Sequence, residues 1–128
     1  MHKGFLRWAA LLGALAVALG AFGAHGLKQI VPAETVSTFE TGVRYQMYHV
    51  FALIAVGILF EKFSSSLLKY AGIFFLLGIL LFSGSLYLLT VLKATDTVGL
   101  NGIGAITPFG GLFFIAGWIC VLATLFKK

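Results

Sequence analysis

Charged residues are scarce in this chain, and this scarcity decides the class of protein. Of its 128 residues, 10% are charged and 60% are hydrophobic, whereas a soluble domain carries about 25% charged residues. The mean hydropathy is +1.05. A soluble globular protein is therefore excluded. The composition predicts an integral membrane protein, because spans of about 20 apolar residues each use up nearly the whole chain.

Cysteine is almost absent as well, and the basic residues are not grouped. The single cysteine, Cys120, excludes an internal disulfide and leaves no second thiol for a metal site, and it fits a small buried hydrophobic residue. The formal net charge is +5, but the basic residues separate apolar segments and form no basic stripe. We therefore predict no nucleic-acid partner, no metal and no cofactor.

Four long apolar segments are what the chain does contain. We predict an all-α fold, an integral membrane four-helix bundle with antiparallel neighbours, as a single domain over residues 1–128. The segment after Lys3 and Arg7 also resembles a signal peptide, but three further spans follow it and we interpret it as a helix. The predicted helices cover about residues 5–24, 37–60, 70–92 and 107–126.

Local signals predict where two of the helices begin. Ser37 and Glu40 fit a capping box, which favours a start of the second helix at Ser37. A start at Pro32, as the first helical residue, is the alternative. Thr107 as the cap and Pro108 at the first helical position predict the start of the fourth helix.

Lysine and arginine are distributed unequally between the two ends of the spans. Cytoplasmic loops of membrane proteins carry an excess of these residues, so we predict that both termini and the 61–69 loop are cytoplasmic. Lys28 and Lys93 lie at the opposite end. The basic residues at the predicted cytoplasmic end are Lys3, Arg7, Lys62, Lys69, Lys127 and Lys128.

Glycines recur at a spacing of seven residues in the first and fourth helices. Small residues let helix backbones approach closely in a membrane, and this spacing keeps them on one face. We therefore predict a tightly packed antiparallel bundle. The pairs are Gly13/Gly20, Gly104/Gly111 and Gly110/Gly117.

Polar residues line one side of the second helix. At 100° per residue they fall within an arc of about 140°, and the opposite side is apolar except for Gln46. The third helix carries a matching stripe of Ser83, Tyr87 and Thr90. His25 ends the first helix, and Thr107 begins the fourth. The polar residues of the second helix are Thr41, Arg44, Tyr45, Tyr48 and His49.

These groups share one half of the predicted bundle, so we predict a polar pocket there, with Arg44 pointing inward. Ionisable groups in a membrane are costly unless they are paired, hydrated or functional. Each residue also has a simpler interpretation: Arg44 can pair with Glu40 or extend toward water, and the tyrosines can form an aromatic belt. The predicted ligand-binding residues are Arg44, Tyr45, Tyr48, His49, His25, Ser83, Tyr87 and Thr107.

The same stretches resemble a known family. "GAFGAHGL" (20–27), "FETGVRYQMYHVFAL" (39–53), "LFSGSLYLL" (81–89) and "ITPFGGLFFIAGW" (106–118) are similar to motifs of the domain-of-unknown-function 423 family. Its members are small four-helix bacterial membrane proteins, similar to the eukaryotic transmembrane protein 256. The resemblance implies the four-helix fold and a multi-pass location in the bacterial inner (plasma) membrane. It implies no activity.

Three functions stay open at this point. The first is binding or passage of a small polar, anionic or amphiphilic ligand, such as a lipid headgroup, with membrane lipids as partners. The second is a structural or accessory role, as a homo-oligomer or within a larger membrane complex. The third is a haem- or metal-binding redox protein that uses His25 and His49. A hydrolytic enzyme is disfavoured, because the predicted pocket holds no Asp and only the terminal Glu40.

Overall fold

The computed structural model describes residues 1–96 and 101–127 and contains four spans of 25 to 29 residues. The predicted all-α membrane bundle is therefore confirmed. The third span is one continuous helix in three parts, with a five-residue π-helix, Ile79–Ser83, in its middle. The α-helices are α1 (Lys3–Ala24), α2 (Ala33–Leu59), α3 (Ser66–Gly78), α4 (Gly84–Ala94) and α5 (Ile106–Phe126), and short 3-10 turns cover Leu27–Gln29 and Asn101–Ala105.

Two helices begin earlier than the capping signals predict. Helix α2 begins at Ala33, directly after the extended residue Pro32, so Ser37 lies inside the helix. Proline fixes its own backbone angle and lacks an N–H, and both properties suit a helix start. Helix α5 begins at Ile106 and has no side-chain cap. The caps assigned to Ser37 and Thr107 are therefore wrong.

The helices pack in the order α1, α2, third span, α5. Helix α1 packs mainly on α2, and α5 packs mainly on α3 and the π-helix, while α2 contacts the whole third span. The main apolar core lies toward one end of the bundle, where Phe5, Leu53, Leu68 and Phe75 are buried. Helix α2 and the third span are therefore the central pair.

Both termini lie at one end of the bundle. The backbone N–H of His2 donates to the Gly57 carbonyl near the end of α2, and Lys127 lines a cavity together with Lys62. We call this the lysine-rich end, and we call the end that holds Lys28 and Lys93 the opposite end. That the lysine-rich end faces the cytoplasm stays a prediction.

Glycines face neighbouring helices at most of the predicted positions. A Cβ added at Gly13 or Gly20 would lie 3.3 or 3.5 Å from a valine of α2. At Gly117 a Cβ would lie 2.6 Å from the Phe75 ring. Gly111 meets only the Phe82 side chain, at 4.0 Å, and Gly104 has no atom within 4 Å, so the prediction of close packing is wrong at these two positions. Gly110, which belongs to the predicted pair Gly110/Gly117, makes the close approach on α5, since a Cβ there would lie 2.7 Å from the Phe82 Cα.

Candidate functional site

A glutamine at the middle of α2 connects three helices. Gln46 lies 13 residues from either end of Ala33–Leu59 and is 1% exposed. Its Nε2 donates to the Leu12 carbonyl of α1 at 2.8 Å, and its Oε1 accepts from the Tyr87 hydroxyl of α4 at 2.6 Å. A buried amide is costly unless it is hydrogen-bonded. Gln46 therefore connects α1 and α4 to α2 near the middle of that helix.

Gly42 and Ser83 explain how Tyr87 reaches Gln46. A Cβ on Gly42 would lie 2.9 Å from the Tyr87 ring, so only glycine leaves room for the tyrosine against α2. Ser83, at the end of the π-helix, is fully buried and donates to the Gly42 carbonyl at 2.6 Å. A π-helix turn inside an α-helix changes the direction of the side chains that follow it. Here Tyr87 is one of those side chains.

His49 connects α2 to α5 on the other side of α2. It is 4% exposed, and its ring stacks on Phe114 with 3.6 Å between centroids and 7° between planes. Its Nδ1 lies 2.7 Å from the Tyr45 carbonyl, and its Nε2 lies 3.1 Å from the Trp118 Nε1. An indole N–H can only donate, so Nε2 accepts and Nδ1 carries the proton. His49 is therefore neutral, with both nitrogens engaged.

Thr107 belongs to a third contact, between α4 and α5. Its hydroxyl lies 2.6 Å from that of Ser85. Four of the predicted site residues thus lie at helix–helix contacts, as expected of a polar interior: His49, Ser83, Tyr87 and Thr107. They are distributed over separate contacts, however, and the structure does not bring them together around one pocket.

Arg44, Tyr45 and Tyr48 lie on the bundle surface, so the inward orientation predicted for Arg44 is wrong. Tyr48 is 54% exposed and contacts Tyr45 edge-on at 5.6 Å. Arg44 is exposed, and its Nη2 donates to the Thr41 hydroxyl at 3.2 Å, one turn nearer the start of α2. This direction is typical of an arginine that extends toward the membrane surface. The buried face of α2 runs instead through Gly42, Gln46 and His49.

His25 and His49 do not form a shared site. His25 is exposed at the end of α1. Two residues earlier, Gly23 lies against Phe39, and His49 is ten residues further along α2, about 15 Å at 1.5 Å per residue. Within residues 1–96 and 101–127, no three His, Cys, Asp or Glu side chains are grouped to hold a metal ion. The haem or metal hypothesis therefore has no geometric support from these two histidines.

A lateral cleft opens between α1 and the third span, beside the π-helix. Its volume is about 480 Å³, and its lining is almost entirely apolar. Trp8, Leu15 and Leu80 are exposed at its mouth, whereas Gln46 and Tyr87 lie on its floor. The other lining residues are Leu12, Leu76, Leu77, Ile79 and Gly84. The opening lies between two spans and therefore faces the lipid.

Sequence reasoning missed Gln46, Ser85 and Trp118. Gln46 had a signal, because it interrupts the apolar side of the second helix. A glutamine among apolar residues at mid-span is costly in lipid, so this exception marks a buried contact. Ser85 and Trp118 lie in stretches that resemble the family, but no spacing rule singles them out. Their partners, Thr107 and His49, come from distant segments.

Comparisons with known proteins agree with the fold. A family model described as a protein of unknown function, DUF423, matches residues 19–111. The chain is 42% identical over 126 residues to the UPF0382 membrane protein YwdK of Bacillus subtilis, covering 98% of each chain. It is 41% identical over 128 residues to the UPF0382 membrane protein of Haemophilus influenzae, covering 100% of this chain and 98% of the relative.

A third relative carries a location in its name. The chain is 37% identical over 117 residues to the UPF0382 inner membrane protein YgdD of Escherichia coli, covering 91% of this chain and 85% of the relative. No solved structure matches the chain. The names and the four spans confirm the predicted location in a bacterial membrane.

Proposed function

We propose that this protein, which belongs to the DUF423 family of membrane proteins, binds a membrane amphiphile. The hydrocarbon tail of the amphiphile would occupy the lateral cleft. The observation that carries the proposal is the cleft itself. Its volume of about 480 Å³ falls within the range of about 300–1,000 Å³ that ligand pockets occupy.

The walls of the lateral cleft suit an apolar chain. Leucines from α1 and α3 line it, and Trp8 lies at its mouth. Lipid reaches a cleft between two spans without crossing water, so the occupant comes from the bilayer. A hydrocarbon chain inside the cleft makes dispersion contacts with the protein walls. These contacts favour binding where they fit the chain more closely than neighbouring lipid tails do.

The floor of the cleft adds a polar group at mid-span. The Gln46 side-chain amide has two N–H groups, and one of them donates to the Leu12 carbonyl. The other N–H can donate to a ligand. The Tyr87 oxygen donates its proton to Gln46 and keeps lone pairs that can accept. An amphiphile whose chain carries a carbonyl or hydroxyl group fits this floor better than a plain alkyl chain does.

A pair of tryptophan variants tests the proposal. Leu15→Trp fills the lateral cleft, whereas the control Leu122→Trp adds the same group at an exposed leucine of α5 outside it. Native mass spectrometry of the purified full chain with defined bilayer lipids counts the lipids that are retained. We expect Leu15→Trp to lose one retained lipid and Leu122→Trp to behave as wild type.

The contradicting outcome is a Leu15→Trp protein that folds, by circular dichroism, and retains the same lipids as wild type. Gly84→Leu provides a second variant that fills the cleft, because a Cβ at Gly84 meets only the Ile79 carbonyl oxygen, at 4.0 Å. Equal retention in both variants would exclude the lateral cleft as the binding site.

An accessory role in a larger membrane complex is the second candidate function. It is supported by the outer helices, since 17% of the first span and 22% of the fourth are buried in the bundle. Their remaining surfaces are free for another chain or a second copy. Blue-native electrophoresis of mildly solubilised membranes tests this, with migration at the size of the monomer as the outcome against it.

A further inference from the structure

A cavity at the lysine-rich end has a lining unlike those at the opposite end. It measures about 360 Å³ and lies between the 61–65 turn and the end of α5. Helix α2 ends at Leu59, α3 begins at Ser66 and α5 ends at Phe126. The cavity therefore lies where three spans end, at the depth of the lipid headgroups. Its lining residues are Lys62, Phe63, Ser64, Ser65, Thr124 and Lys127.

The described residues that line this cavity include two lysines and no carboxylate. Lys62 and Lys127 come from segments more than 60 residues apart in sequence and converge on it. At the opposite end, a cavity of about 450 Å³ contains Lys28 with Glu40, and one of about 290 Å³ contains Lys93 with Glu34. Those two cavities each contain a carboxylate beside the lysine, whereas the described residues that line the cavity at the lysine-rich end include none. The acidic residue nearest in sequence to this cavity is Glu61, which is not among its lining residues.

Hydroxyl groups add hydrogen-bond donors beside the two ammonium groups. The Ser65 oxygen accepts from the Leu68 N–H at 3.2 Å, so its own proton stays available to donate. Ser64 is exposed at the rim. The Lys62 ammonium lies 5.6 Å from the centroid of the Phe63 ring, within the range of a cation–π contact. The set combines two cations and hydroxyl donors, which is the chemistry that recognises a phosphate oxygen.

We propose that this cavity binds the phosphate of an anionic membrane lipid, such as a phosphatidylglycerol. The preference of lysine for cytoplasmic ends accounts for the presence of basic residues there. It does not account for the convergence of two of them on one cavity whose described lining residues include hydroxyl groups and no acidic side chain. The site is separate from the lateral cleft, so either proposal can fail without the other.

Matched charge variants of the full chain test the proposal. Lys62→Gln with Lys127→Gln removes both charges from the cavity, and Lys28→Gln with Lys93→Gln removes two charges at the opposite end. Affinity for phosphatidylglycerol, measured by native mass spectrometry, should fall about 30-fold in the first variant, because each lysine near an anionic lipid contributes about fivefold. The second variant and the Lys62→Arg/Lys127→Arg variant should bind as wild type does.

Diacylglycerol, which has no phosphate, and inorganic phosphate serve as probes of specificity. We expect diacylglycerol to bind equally to all variants, and excess inorganic phosphate to leave phosphatidylglycerol bound. Equal losses in the two glutamine pairs, or no loss in the first, would overturn the proposal. Complete displacement by inorganic phosphate would overturn the lipid assignment, since the cavity would then be a site for the free anion.

Discussion

The two outer helices are attached to the central pair in different ways. Helix α5 places Gly110 and Gly117 against the third span, where an added Cβ would lie within 2.7 Å of the Phe82 Cα or of the Phe75 ring. Helix α1 places Gly13 and Gly20 against valines of α2, where an added Cβ would lie at 3.3 or 3.5 Å. At Gly110 and Gly117 the interface has no room for a side chain, whereas at Gly13 and Gly20 the spacing is nearly that of ordinary van der Waals contact. Near the lysine-rich end α1 is packed tightly as well, since a Cβ on Gly57 of α2 would lie 2.7 Å from Leu6.

This difference indicates which side of the bundle can adapt to a ligand. Helix α5 is fixed by steric fit at Gly110 and Gly117. Around Gly13, helix α1 has looser packing, and a side-chain hydrogen bond reaches it there, from Gln46 to the Leu12 carbonyl. The lateral cleft lies beside this part of α1. A helix that shifts slightly can admit a lipid chain without disturbing the core around Phe75 and Phe114.

The largest effect is expected at the tight interface. Gly110→Ala should destabilise the protein by roughly 3 kcal/mol, because the new Cβ overlaps the backbone of Phe82 and forces two helices apart. Unfolding in mixed micelles with increasing denaturing detergent measures the change. Gly111→Ala is the matched control, since its Cβ has one neighbour at 4.0 Å, and it should be neutral or slightly stabilising. Equal effects at the two positions would contradict the difference in packing.

A smaller effect is expected at Gln46, whose hydrogen bonds join α2 to α1 and to α4. Gln46→Leu should lower the free energy of unfolding by about 1–2 kcal/mol. The substitution removes two hydrogen bonds between helices, and it leaves the Tyr87 hydroxyl without its acceptor, the Gln46 Oε1. A double-mutant cycle with Tyr87→Phe isolates the contact between the two side chains. If the effects of the two substitutions simply add, the Gln46–Tyr87 hydrogen bond does not contribute to stability.

The packing of α1 itself should be still more tolerant. Gly20→Ala should change the unfolding free energy by less than about 0.5 kcal/mol, since a Cβ there meets Val43 at 3.5 Å. Gly20→Leu should cost about 1 kcal/mol, because the longer side chain pushes α1 away from α2. A Gly20→Leu loss as large as that of Gly110→Ala would show that both interfaces are equally closed.

The sequence predicted the fold well because composition and span length determine it. Four apolar runs with short connections leave little alternative to a helical bundle. Small residues at helical spacing mark contacts, and this pattern was correct at Gly13, Gly20, Gly110 and Gly117. Gly110 and Gly111 are neighbours in sequence, and only the rotation of α5 shows that Gly110 makes the close contact.

The site was predicted less well, because a polar face does not reveal which way it points. On α2, Arg44 and Tyr48 lie outside and Gln46 lies inside. The rule that polar residues avoid lipid favours an inward position for all three, but the long Arg44 side chain extends along the helix toward its start, as far as the Thr41 hydroxyl. The shorter glutamine side chain cannot extend in this way. The π-helix at Ile79–Ser83 has no sequence signature beyond its flanking glycines, and it sets the direction of Tyr87.

The smallest effect is expected at Arg44, which lies on neither interface. Its hydrogen bond joins the Thr41 hydroxyl on the same helix, and the guanidinium is exposed. A lysine keeps the charge and can extend in the same direction. Arg44→Lys should therefore change the unfolding free energy by less than about 0.5 kcal/mol. It should also retain the same lipids as wild type in native mass spectrometry.

The Arg44→Gln variant tests whether Arg44 faces lipid and water in the membrane or is covered there by another protein chain. In an isolated bundle, loss of the charge should cost little, because no buried partner is left without a bond. If the purified monomer is unaffected but a larger species on blue-native gels disappears with Arg44→Gln, then another chain covers Arg44 in the membrane. If the monomer itself loses stability to the extent expected of Gln46→Leu, then Arg44 contributes to the stability of the bundle. The bundle would then depend on a contact of Arg44 in addition to the α1 and α5 interfaces.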